Sequence, residues 1–161
     1  MTPQIGSGSA GTGAEAVRVS TVLGERQGPV GTAWTTALAT PTAGHSPFIV
    51  VAKPNLPVVP FTLLVPAVGV LDQRHAQLTL GAGQAGVASA VLDLKMDDPE
   101  GEFCLIASVW IEPQADDEEA VFRNTHDATI TALRLGASGG PWHGNLTAVA
   151  VPENPNFRCP T

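Results

Sequence analysis

The chain has 161 residues, 43% of them hydrophobic and only 14% charged, enough apolar material for one domain with a core and too much for wholesale disorder. Eight Lys and Arg stand against 15 Asp and Glu, and the resulting charge of −7 argues against sequence-independent nucleic-acid binding, which needs a basic face. No apolar run reaches the roughly 18 residues of a membrane helix. The small, polar start lacks the basic and apolar regions of a secretory signal, so the expected setting is cytoplasmic, with no membrane partner. Cys104 and Cys159 are too few for a disulfide framework or a thiolate zinc site, and no metal is expected. Without a secretory context the Asn145-Leu-Thr147 sequon carries little weight.

Residues 1–15 are rich in Gly, Ser, Thr and Ala and read as an extended, mobile arm. From Ala16 to Leu23 the residues alternate, with Val17 and Val19 on one side and Arg18, Ser20 and Val22 on the other, the period of a strand. Gly24 to Pro29 is a turn, and Pro29 suits the first turn of a helix that passes Trp34 and Leu38 and stops near Pro41. Phe48 to Ala52 is a short strand-like run closed by Pro54-Asn-Leu-Pro57, and Leu63 to Leu71 is a second run expected to pair with it. Asp72 offers a cap to a helical stretch from Gln73 to Leu94 with a break around Gly81-Ala-Gly83. Phe103 to Ile111 is a third strand-like run. Residues 114–135 form a helix with acidic residues at its start, where they offset the helix dipole, and Gly136 as its stop. A Pro- and Gly-rich tail fills 137–161. The expected architecture is α/β in the α+β sense, a mixed sheet with helices packed on it, in a single domain over 1–161.

The chemical motifs are weak. Gly6, Gly8 and Gly11, like Gly81, Gly83 and Gly86, match the glycine spacing of a dinucleotide loop, but no strand feeds either turn. His45, His75, His126 and His143 show no ligand spacing. The run Asp116 to Glu119 lacks the alternating carboxylates and central Gly of a calcium loop. Ser138-Gly-Gly140 lacks a nucleophile elbow.

A resemblance carries more. Gly24, Arg26, Pro29, Thr32-Ala33, Leu38, Pro54-Asn-Leu-Pro57, Pro60, Thr62-Leu63, Asp72, Arg74, Ala76, Gly81, Gln84 and Gly86 resemble the formaldehyde-activating enzyme family, which condenses formaldehyde with tetrahydromethanopterin. Val109 to Thr129, with Ile111 and Gln114-Ala-Asp-Asp117, continues the likeness. The resemblance implies a sandwich like that of a ribosomal-protein second domain. It also implies a homopentamer with active sites in clefts between subunits, and a small-molecule, pterin-like substrate with no bound cofactor.

The resemblance also places six site positions. The family's proton-donating histidine falls at Arg18, and an aspartate two residues on falls at Ser20. A leucine becomes Ile49, a lysine Ala67 and a threonine Gly69, while Gln84 is retained. A guanidinium does not release a proton near neutral pH, so Arg18 can hold an anion or stabilise charge but cannot act as that acid. The implied cleft is roomier and less polar, with one fixed cation, suited to a lyase-type enzyme of altered substrate. The alternatives are the family's own condensation or a non-catalytic binding paralogue, with His45 and His75 as candidate replacement acids.

Overall fold

The computed structural model describes residues 2–96, 98 and 100–138. They form, in chain order, β1 (Gln4–Ala10), β2 (Val17–Glu25), α1 (Pro29–Ala39), β3 (Phe48–Ile49), β4 (Val51–Lys53), β5 (Leu56–Pro57), β6 (Phe61–Pro66), α2 (Gln73–Gln77), a π-helical turn (Leu78–Gly83), α3 (Gln84–Asp93), β7 (Phe103–Ile111) and α4 (Glu118–Ala137). Five strands make one mixed sheet in the order β1-β2-β7-β6-β3, with β6 and β7 parallel and the other pairs antiparallel. This is the α+β architecture the sequence predicts. His143, Cys159, the sequon and the tail from 139 on lie outside the described residues.

Alternation assigns the two faces of the sheet. Val17, Val19, Thr21 and Leu23 of β2, with Leu105, Ala107, Val109 and Ile111 of β7, are buried. Most of them form the core with Val121, Ala128 and Leu133 of α4 and Val87 and Val91 of α3. Each Val, Leu or Ile among them taken from water contributes about 1.5–3 kcal/mol. The opposite face carries Arg18, Ser20 and Val22 of β2 beside Ile106, Ser108 and Trp110 of β7. Helix α1 covers one end of it, where Val30 abuts Gly24. The rest is open.

Three expectations change. The arm read over residues 1–15 contains the paired edge strand β1, and its glycines are there for contact. A methyl group on Gly6 would come within 2.0 Å of the Ala132 carbonyl oxygen, and one on Gly8 within 2.2 Å of that of Ala128, so α4 lies directly on the strand backbone. The helix expected to stop at Gly136 runs through it to Ala137, because Gly136 faces the Ile5–Gly6 backbone. The break at Gly81–Gly83 is a π-helical turn that keeps the helical path.

The long helix expected from residue 114 begins four residues later, at Glu118, with acidic residues in its first turn. Asp117 caps α4 by accepting from the Ala120 amide at 3.0 Å. Arg74 of α2 donates to Asp116 at 2.8 Å and to Glu118 at 2.7 Å, tying the helix start to the rest of the fold. Hydrogen bonds to Glu118 and Asp116 hold the Arg74 guanidinium in its charged form.

Candidate functional site

Strand register decides which candidate residues meet. Arg18 pairs with Trp110, and the Ala67 amide donates to the Val109 carbonyl at 2.8 Å, which places Ala67 opposite Trp110 on the other side of β7. Arg18, Trp110 and Ala67 thus form one row across three neighbouring chain segments on the open face. Neighbouring strands lie about 4.8 Å apart, so Arg18 and Ala67 are roughly 10 Å apart with the indole between them. The Arg18 guanidinium lies 5.1 Å from the centre of the Trp110 ring, a cation–π contact. One strand position on, Ser20 pairs with Ser108 and with Ser7, whose hydroxyl is 2.9 Å from that of Ser20. Ser7, Ser9, Arg18 and Ser20, with Thr131 and Leu135 of α4, line a groove of about 520 Å³ at the sheet edge. A cation backed by an aromatic ring and flanked by hydroxyls is a seat for a carboxylate or phosphate.

Gly69 lies just beyond Ala67, in the loop that leaves β6. The Val70 amide donates to the Gly44 carbonyl at 2.9 Å, docking the 44–45 segment on it. The half-buried His45 donates from Nδ1 to the Pro66 carbonyl oxygen at 2.8 Å. Its other nitrogen, Nε2, is 3.6 Å from where a Gly69 methyl group would sit. His75 is different. It is buried, and its Nε2 is spent on the Ile111 carbonyl at 3.2 Å.

The remaining two positions stand apart. Ile49 pairs with Leu63, two strand positions from the Arg18 row. It lines a second groove, of about 380 Å³, with Arg26, Gly31, Trp34, Thr35, Phe61 and Cys104. Burial pushes the Cys104 thiol up and the nearby Arg26 only partly offsets it, so the sulfur is a packing atom there. The Gln84 side chain clasps β4 from both ends of its amide: it accepts from the Val51 amide and donates to the Val51 carbonyl, each at 3.4 Å. Gln84 therefore supports the β4 backbone.

Sequence reasoning missed Trp110. Its signal was its place on the alternating strand Phe103–Ile111, but that became meaningful only when the register put it against Arg18. Among the described residues no group of three His, Cys, Asp or Glu is placed to hold a metal ion, and no helix is long and apolar enough to cross a membrane.

Fold and site together define a class: an α+β domain whose open sheet face presents a groove of small-molecule size around one aromatic-backed cation. Comparison with known proteins supplies the family. The profile of the formaldehyde-activating enzyme family matches residues 5–151. The chain is 38% identical over 144 residues to the bifunctional enzyme Fae/Hps of Methanosarcina barkeri, 36% over 143 residues to that of Methanosarcina mazei, and 37% over 142 residues to that of Methanococcoides burtonii. These matches cover 85–86% of this chain and 36% of each relative, so the chain spans about a third of the length of the curated relatives it matches. The chain belongs to the formaldehyde-activating enzyme family, an enzyme family whose substrate is tetrahydromethanopterin.

Proposed function

We propose that this chain is a carbon–oxygen lyase of the family's type, joining an aldehyde to a tetrahydropterin amine with loss of water, and that its aldehyde carries an anionic group. The observation that supports the reading is the Arg18–Trp110–Ala67 row. By the family resemblance a permanent cation takes the place of the family's proton donor, 5.1 Å from the centre of an indole, and the family's lysine across the ring is reduced to Ala67. A carboxylate held bidentately by Arg18 would place the attached carbonyl over Trp110, in the space that Ala67 leaves. Ser7, Ser9 and Ser20 add donors to the same anion. Metal or bound-cofactor chemistry is no part of this reading.

The uncovered part of the sheet face supports a site completed at a subunit boundary. Ile5, 57% exposed, projects there beside Val22 and Ile106, apolar surface that a second copy would cover. In this reading the protein is a homo-oligomer, a pentamer like the family's, with its cleft between neighbours.

The test compares formaldehyde with glyoxylate, the smallest aldehyde that bears a carboxylate, each with tetrahydromethanopterin. Turnover of glyoxylate is expected to exceed that of formaldehyde. Arg18→Ala is expected to lower kcat/KM for glyoxylate by about 10- to 100-fold, the worth of a charge-assisted contact, with little effect on formaldehyde. A wild-type enzyme that condenses formaldehyde briskly and ignores glyoxylate would overturn the reading.

A further inference from the structure

We infer that His45 is the proton carrier of this cleft, a catalytic imidazole supplied by a different segment of the chain from the one that provides it in the family. The inference rests on the functional reading above and deepens it. The position that held a threonine is Gly69, and the Nε2 edge of His45 stands 3.6 Å from where its β-carbon would be. A β-carbon there would be in van der Waals contact with the ring, so any side chain at position 69 would border His45. Ala67, which completes the Arg18 row, is exposed and lies two residues before Gly69 in the same segment.

The ring is built to be used at one nitrogen. Nδ1 is committed to the Pro66 carbonyl at 2.8 Å, which fixes the orientation of the imidazole. Nε2 makes no hydrogen bond among the described residues. His75, the other candidate, has its Nε2 buried on the Ile111 carbonyl and cannot reach a ligand.

The chemistry balances with one proton carried out and one returned. The first pterin amine adds to the aldehyde carbon, and its proton moves to the carbonyl oxygen to give a carbinolamine. His45 gives its Nε2 proton to that hydroxyl as the carbon–oxygen bond breaks, releasing water and leaving an iminium. The second amine then adds to the iminium carbon, and its proton returns to Nε2. Arg18 holds the aldehyde's anionic group throughout and transfers no proton.

His45→Ala is expected to lower kcat for glyoxylate with tetrahydromethanopterin by about 10²- to 10⁴-fold with KM little changed, and imidazole added to the buffer should restore part of the loss. Gly69→Thr, which leaves His45 in the chain, should lower kcat by crowding the ring. The His45 Nε2 nitrogen resonance should shift when tetrahydromethanopterin alone is added. If formaldehyde proves to be the aldehyde, the functional reading fails while His45 is judged by the same variants on formaldehyde. Undiminished kcat in His45→Ala, or an unmoved resonance with pterin bound, overturns the assignment alone. No binding of tetrahydromethanopterin overturns both.

Discussion

The guanidinium of Arg18 rests on the indole of Trp110, its directly paired partner on the neighbouring strand, 5.1 Å from the ring centre. A cross-strand pair of this kind couples the two residues energetically as well as geometrically. At an exposed site a cation–π contact is worth about 0.5–1 kcal/mol. A double-mutant cycle with Arg18→Ala and Trp110→Leu, followed by urea denaturation, should return a coupling energy of that size. Strictly additive variants would show that the stacking does not hold Arg18 in place.

Gly6 tests the contact between β1 and α4. An alanine methyl there would lie 2.0 Å from the Ala132 carbonyl oxygen and 2.7 Å from the Gly136 amide, both backbone atoms that cannot turn aside. Gly6→Ala is expected to lower stability by about 3 kcal/mol, the upper range for overpacking, with a matching fall in melting temperature. A thermal melt that matches the wild type would mean the edge strand does not pack against the helix in solution.

His126 gives the fold a pH dependence. Partial burial disfavours its charge, but hydrogen bonds to Asp127 and Asp93, both at 2.9 Å, outweigh this and raise its pKa above the ordinary 6.5. A folded value above the unfolded one contributes stability that is complete below 6.5 and is lost as pH rises through the folded value. Urea midpoints taken at about pH 6 and about pH 8, on either side of the histidine range, should therefore differ more in the wild type than in His126→Asn. Equal differences in the two proteins would rule out the Asp93–His126 link between α3 and α4 as their source.

Much of the fold was legible because its determinants are local. Alternation marked β2, a strand-like run marked β7, Pro29 and Asp72 marked helix starts, and the acidic run with Asp117 marked the start of α4. The glycines of β1 misled for a physical reason. Glycine-rich composition looks the same whether the backbone is free or pressed against a helix, and only the position of α4 separates the two cases. Gln84 shows a second role that residue type alone does not reveal: its amide also holds the Val51 backbone.

By itself the sequence determined most of the secondary elements and the family, both written in residue types and their near spacing. Tertiary structure decided that Arg18, Trp110 and Ala67 share a row, that Ile49 belongs to another groove, and that His45 stands over Gly69. Side-chain parity is fixed within a strand, but strand register and the docking of the 44–45 segment on the 66–70 loop arise from contacts between distant parts of the chain.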